Sequence, residues 1–246
     1  GVNPTYRLLR GDWTFDLGLK LFGSFDTENS QTDIFLYPDI HLNWSPASNV
    51  FRFFGSFTGG LAQNSYRDFV QTNPFVSPTL LITPTDTNFE LTAGISGQLS
   101  SLISYTLKGA YSDIDRYAFL SLNPFEANNQ PEAYTFGNSL RVLYDGLDRL
   151  EINGRLNFSF QKTEIQLSAS VFDYSTDNLP EAFHLPELTA SVKWIQTFNP
   201  KWKLTADVFY VDDRTDQQLF TGTSFFENRT LNLDSYIDAN VRGDYR

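Results

Sequence analysis

The sequence predicts an all-β fold, an antiparallel transmembrane β-barrel to which this chain contributes about 10–11 strands. Three observations predict it. Apolar and polar residues alternate strictly over segments of about ten residues, short and long connections follow one another in turn, and aromatic residues lie beside the short connections. Such segments exceed the usual strand of about five or six residues and match the ~9–11 residues that cross a bilayer at a tilt.

The pattern is clearest over residues 187–211. On the first arm, apolar residues take every second position over 188–194, and polar residues fill the positions between them. After the turn at 199–201 the alternation resumes over 202–210. Period-2 alternation across a short turn that contains Asn and Pro predicts a β-hairpin.

The N-terminal part repeats this pattern. Residues 6–10 predict the end of one strand, and a tight turn at Gly11-Asp12 leads to a strand over 13–25 that would climb about 30 Å at the usual tilt. After a polar loop at 27–33, the strand over 34–44 contains Pro38, which requires a bulge or a locally unpaired position. A turn at 45–48 leads to the next strand, and Gly59-Gly60 is expected to act only as a turn signal that opens a long loop to about Thr87.

The C-terminal part continues in the same way. Strands over 89–99 and 103–119 flank a turn at Ser100-Ser101, and an Asn- and Pro-rich loop follows at 123–131. One long strand over 136–161 is expected to contain a bulge at 145–148. Beyond the turn at 161–164 and a strand over 165–171, a loop leads into the hairpin described above. A final loop to about Asn232 precedes the last strand at 237–245.

Three sets of residues are predicted to face particular surroundings. A girdle of aromatic residues is expected at the membrane interface: Trp13, Trp44, Phe51, Phe160, Phe198 and Trp202. Charged residues of the opposite parity are expected to face a polar lumen, although ion pairs across the wall would also explain them: Asp16, Lys20, Lys108, Arg155, Lys193, Lys203, Asp207 and Arg242. Loop residues with aromatic or cationic groups are suited to anionic chelates or sugar rings: Tyr66, Arg67, Arg116, Tyr117 and His184.

Composition limits the functional classes. The 246 residues carry a formal charge of −11 and include two His and no Cys. The acidic excess argues against a nucleic-acid partner, whose phosphates require clustered Lys and Arg. No nucleophile–base arrangement stands out, so we expect no enzyme activity, no cofactor and no metal site. The acidic loops favour solubility, and divalent-cation bridging to anionic lipid is the alternative.

Other interpretations remain open at this stage. Alternation alone also describes a soluble β-sandwich with one buried face. An outer-membrane phospholipase would need a lipid-facing His, whereas the parity of His41 points inward. An omptin-like rim protease would need acidic residues near a histidine, and His184 lies close in sequence to Glu181 and Asp177.

Several short runs carry a resemblance to a known family: YPDI at 37–40, WSP at 44–46, NPF at 73–75, HLPE at 184–187 and YIDAN at 236–240. They resemble the later barrel half of TonB-dependent outer-membrane receptors. The resemblance implies a 22-stranded barrel in the cell outer membrane, surrounded by lipid and closed around a plug that couples it to an inner-membrane TonB-type complex. It implies uptake of a siderophore, vitamin or glycan, with a plug-less structural, porin-like or secretion-associated barrel as the alternative. Residues 1–246 are expected to be one barrel segment, truncated at both ends.

Overall fold

The computed structural model describes residues 1–26, 31–46, 51–126, 137–222 and 225–245. The predicted loops at 27–33 and 123–131, the turn at 45–48, the start of the strand at 136 and the C-terminal Arg246 lie wholly or partly outside these residues. Within the described part of the chain, no helix is both long and apolar enough to cross a membrane.

Eleven strands form one antiparallel sheet, as the alternation predicts. In spatial order they are β1 (Thr5–Arg10), β2 (Trp13–Asp26), β3 (Gln31–Trp44), β4 (Arg52–Ala62), β5 (Thr85–Ser100), β6 (Ile103–Leu122), β8 (Leu140–Ser159), β9 (Thr163–Thr176), β10 (Leu188–Thr197), β11 (Trp202–Val211) and β14 (Tyr236–Tyr245). Over the described residues, β1 and β14 each pair with one neighbour, so the sheet is open there.

Smaller elements lie in the long connections. The helix α1 (Tyr66–Thr72) lies between β4 and β5, and Ser65 caps it by accepting a hydrogen bond from the Asp68 N–H. A second sheet consists of β7 (Phe125–Glu126), β12 (Arg214–Gly222) and β13 (Phe225–Leu233).

At one end of the sheet every connection is short, whereas at the other end the connections after β4, β6, β9 and β11 have eleven residues or more and the one after β2 spans 27–30. The strands joined by short turns are β1–β2, β3–β4, β5–β6, β8–β9 and β10–β11. We call this the turn end, and the opposite end, which carries α1 and the second sheet, the loop end. In the hairpin of β10 and β11, the Asn199 side chain accepts hydrogen bonds from the Lys201 and Trp202 N–H groups, which explains the tight Asn-Pro turn.

The register divides the sheet into an apolar and a polar face. Leu17 lies opposite Ile40, Leu107 opposite Gly154, and Val192 opposite Val208. Many of these apolar side chains are exposed; Leu107 is 49% and Val171 54% exposed. We call this the outer face. Exposed apolar side chains over a whole sheet face need a covering, because monomeric soluble proteins rarely leave so large a patch open.

Four details of the predicted strands were wrong. Gly59-Gly60 is no turn: β4 runs through both residues to Ala62. β3 already begins at Gln31, inside the predicted loop. The bulge expected at 145–148 of β8 lies instead on its partner strand β6. Ile114 pairs with Leu147 and Tyr117 with Asp145, so two residues of β6 lie opposite one residue of β8. The final loop to about Asn232 contains the hairpin β12–β13.

Pro38 fits β3 without a bulge of its own. It lies opposite Leu19 of β2, and pairing with β4 ends at the next residue, Asp39. Pro38 therefore has no β4 partner, which matches the locally unpaired position that a proline requires.

At the loop end, β6 and β8 extend past their neighbours and carry an apolar cluster on each face. One cluster includes Phe69 of α1 with Leu120 and Leu140. The other contains Phe119 and Leu147, packed against Leu179, Ala182 and Leu185 from the connection between β9 and β10. Because successive strand residues point to opposite faces, adjacent Phe119 and Leu120 anchor two different loops.

Candidate functional site

The structure places the five predicted ligand-binding residues at the loop end, in different environments. Tyr66 and Arg67 are exposed in the first turn of α1. Arg116 lies in β6, where its guanidinium donates to Asp86 at 3.2 Å and lies over the Phe35 ring. Since Asp86 also accepts from the Tyr37 hydroxyl, this cation is held in the wall rather than offered freely to a ligand.

Tyr117 and His184 line one cavity of about 280 Å³, together with Phe69, Phe119 and Phe183. Burial raises the pKa of Tyr117, so its hydroxyl stays neutral and can donate a hydrogen bond. Aromatic walls with a phenol and an imidazole suit a ligand that has both apolar and polar groups.

The connection between β9 and β10, residues 177–187, folds onto the sheet; we call it the strap. Asp145 holds its beginning, because the carboxylate accepts from the Asn178 side chain and from the Asn178 and Leu179 N–H groups at 2.7–2.8 Å. Burial acts to raise the pKa of Asp145, but these hydrogen bonds outweigh it and hold the pKa below its usual range. From the sequence, Asp145 is predicted to lie in a bulge, and no local pattern indicates that it holds the strap.

His184 holds the end of the strap. Its Nε2 lies 2.9 Å from a carboxylate oxygen of Asp216, and its backbone N–H donates to the Thr215 carbonyl at 3.0 Å. Asp216, in β12, is 2% exposed and also accepts from the Leu122 N–H at 3.2 Å. The histidine's carboxylate partner is therefore Asp216, which comes from another connection and not from the nearby sequence.

A second cavity, about 540 Å³, lies between the strap and the start of β12. Its lining is mostly polar and includes the carboxylates of Glu187 and Asp212, and Leu179 and Leu185 contribute apolar side chains. The acidic residues of 212–216 are divided between two environments: Asp212 lines the cavity whereas Asp216 is buried. No group of three or more His, Cys, Asp or Glu side chains among the described residues is arranged to hold a metal ion.

The six predicted girdle residues lie at the turn end. Trp13 and Trp44 are register partners with ring centroids 5.7 Å apart, and Phe51 packs against Trp44 at 5.6 Å. Phe160, Phe198 and Trp202 are each about half exposed. Their contact with a membrane stays a prediction.

The eight charged residues predicted for the lumen share the face opposite the apolar one, by register. Four form ion pairs: Asp16 with Arg7, Lys20 with Asp39, Lys108 with Glu151, and Arg242 with Asp244. The other four make no ion pair within the described ranges: Arg155, Lys193, Lys203 and Asp207. From the sequence, either ion pairing or contact with the lumen could explain these charged residues. Ion pairing explains four of the eight.

Carboxylates end the apolar band on the outer face. Asp113 of β6 lies opposite Asp148 of β8, and Asp173 of β9 lies opposite Leu150. Asp113 is ten positions after Ile103, the first residue of β6, which corresponds to about 25 Å at 3.3 Å per residue and a tilt near 40°. The apolar bands of outer-membrane barrels are ≈ 25 Å tall.

An open sheet of long antiparallel strands, with an apolar outer face and a polar inner face, has the architecture of an outer-membrane β-barrel wall. Comparison with solved structures assigns the fold more narrowly, to the barrel part of TonB-dependent outer-membrane receptors. The resemblance inferred from sequence is thereby confirmed at the level of fold.

Three solved structures illustrate the match. The FrpB iron transporter from Neisseria meningitidis (F3-3 variant) aligns over 98% of this chain and 37% of its own, with a TM-score of 0.60 and 11% identity. The pyoverdine outer membrane receptor FpvA from Pseudomonas aeruginosa PAO1, bound to pyoverdine, aligns over 99% of this chain and 35% of its own, with a TM-score of 0.63 and 10% identity. The siderophore receptor PiuA from Acinetobacter baumannii aligns over 96% of this chain and 35% of its own, with a TM-score of 0.56 and 12% identity.

The chain thus spans about a third of the length of the structures it matches, for example 37% of FrpB and 35% of FpvA. No protein-family model and no curated protein matches the sequence.

Proposed function

We propose that residues 1–246 form part of the wall of an outer-membrane receptor that imports a scarce ligand. The observation that carries this is the outer face, where exposed apolar side chains fill a band between the turn-end aromatics and the carboxylates of Asp113, Asp148 and Asp173. A lipid bilayer covers such a band, and water would leave it unfavourably exposed. The fold shared with iron and siderophore receptors supports import rather than enzymatic activity.

The proposal includes coupling to the TonB-type complex of the inner membrane, relayed by a plug domain seated against the polar inner face. Four charged side chains there have no ion-pair partner among the described residues and are available for contact with a plug or a passing ligand: Arg155, Lys193, Lys203 and Asp207. Both the plug and the ligand require a polar, hydrated wall.

The ligand class we propose is a small molecule of the siderophore, vitamin or glycan type. Of the five residues predicted to bind it, Tyr117 and His184 are best supported, because they line the same cavity. Tyr66 and Arg67 could make the first contact from the exposed face of α1. Arg116 is better suited to supporting the wall, because Asp86 and Phe35 already hold it.

Uptake by cells tests this proposal. A strain without the protein is compared with its parent for growth on limiting iron chelates, cobalamin or oligosaccharides, with and without an intact TonB-type complex. We expect loss of uptake of one such nutrient, and the same loss when the complex is disrupted. Unchanged growth on the whole panel, or uptake that does not need the complex, would contradict the proposal.

A further inference from the structure

We propose that the strap and the hairpin β12–β13 open and close as a single unit, because the His184–Asp216 pair latches one to the other. This inference concerns the mechanics of the loop end and does not depend on which ligand is imported.

The strap has a separate attachment at each end. Asp145 of β8 holds Asn178 and Leu179 at its start, whereas His184 near its other end bonds only to the hairpin segment, through Thr215 and Asp216. Breaking the first attachment loosens the start of the strap, whose Leu179, Ala182 and Leu185 also pack on the sheet, and breaking the second separates strap from hairpin. The two attachments can therefore be tested independently.

Asp216 is a junction of three segments. Its carboxylate accepts from His184 of the strap and from the Leu122 N–H of β6, while β12 itself carries it. With the side chain 2% exposed, water cannot readily replace a lost partner. The hairpin is thus tied both to the strap and to the strand extension on which the strap packs.

The backbone at His184 indicates that the side chain is needed there. Its φ of 63° lies in the left-handed region, and it is the one non-glycine residue with positive φ among the described residues. Glycine adopts this conformation without steric cost, so a purely structural loop would favour it. The imidazole instead bonds to Asp216, and its tether to the hairpin offsets the unfavourable backbone conformation.

Coupled motion matters because both segments wall the same space. The 540 Å³ cavity is lined by Leu179, Ala182 and Leu185 of the strap and by Arg214 and Thr215 of the hairpin. If the latch couples them, displacing either segment widens the cavity from both sides. A ligand or partner that contacts only the hairpin would then also move the strap.

Amide hydrogen exchange on the complete protein in detergent micelles tests the coupling. We expect His184→Gly and Asp216→Asn each to accelerate exchange by about tenfold or more in both the strap and β12, because the hydrogen bond between the two segments is lost or weakened at a buried site. His184→Gly keeps the positive φ favourable, so it separates loss of the imidazole from misfolding. Unchanged exchange in β6 and β8 below the extension confirms that the sheet remains folded.

Asp145→Asn is the complementary variant, because it releases the start of the strap and leaves the latch intact. If strap and hairpin move as one unit, it should accelerate exchange at the Asn178 and Leu179 amides and in β12, and it should add nothing in β12 when introduced into His184→Gly. Acceleration confined to one segment in the latch variants, acceleration in neither, or β12 exchange left unchanged by Asp145→Asn would overturn the proposal.

Discussion

Asp145 shows how one buried carboxylate organises a loop. Its hydrogen bonds with Asn178 and Leu179 hold its pKa below the usual value despite burial, so its ionised form is stabilised in the folded state. A group with a lowered folded pKa contributes stability above its unfolded pKa, ~3.9, and loses it as pH falls through the folded value.

We therefore predict that the strap is docked at pH 7 and loosens as the pH falls below about 4. The protein contains no cysteine, so a single spin label at Glu181→Cys reports strap mobility without background. Asp145→Asn should make the label mobile at pH 7 and remove the acid transition. An acid transition that survives in Asp145→Asn would show that another group controls docking.

At the scale of a single element, Gly59 and Gly60 form a natural matched pair in β4. Around Asn88 the register of β5 shifts, and a Cβ on Gly59 would lie 2.5 Å from the Asn88 carbonyl oxygen and 2.9 Å from that of Thr87. Backbone atoms cannot move aside as a flexible side chain can. At Gly60 nothing lies within 4 Å of the added Cβ.

Gly59→Ala should lower the free energy of unfolding by about 1–3 kcal/mol, because the two strands must separate to accept the methyl group. Gly60→Ala should leave it unchanged or raise it by up to ~1 kcal/mol, since alanine restricts the unfolded chain. Urea unfolding monitored by tryptophan fluorescence measures both. Equal effects of the two substitutions would mean that the close approach at Gly59 does not constrain the strands.

The elements that sequence predicted well are those with a strong contrast between their faces. Leu17, Leu19 and Leu21 alternate with Asp16, Gly18 and Lys20, and a one-residue slip would reverse every side chain. The hairpin β12–β13 lacks that contrast, since it lies beyond the apolar band and alternates weakly. The bulge near 115–116 was placed on the wrong strand because either partner can absorb an extra residue.

The candidate site was harder to predict, since its key contacts join segments far apart in sequence. In the sequence, Tyr117 and His184 indicated that the loop end carries the candidate site. The pairing of His184 with Asp216 depends on how the strap and β12 cross, and no local pattern encodes that crossing. The same holds for Asp145, whose partners are 33 and 34 residues away.

At the scale of the whole molecule, the proposal that lipid covers the outer face is tested by two adjacent residues of β6. Leu107 lies on the outer face, 49% exposed, about midway between Ile103 and Asp113. Thr106 lies on the inner face, opposite Ser96 and Arg155. The two positions share a depth and a strand but differ in the surroundings we propose for them.

In lipid vesicles, Leu107→Lys should lower the free energy of unfolding by about 2–4 kcal/mol, the cost of a lysine facing lipid near the bilayer midplane. Thr106→Lys should change it by less than ~1 kcal/mol, because the inner wall is hydrated and already carries lysine at position 108. Urea titration of both variants in the same vesicles gives the difference. On a water-exposed face, lysine at position 107 would be as harmless as at position 106, so equal stability of the two variants would refute the membrane assignment and the import function built on it.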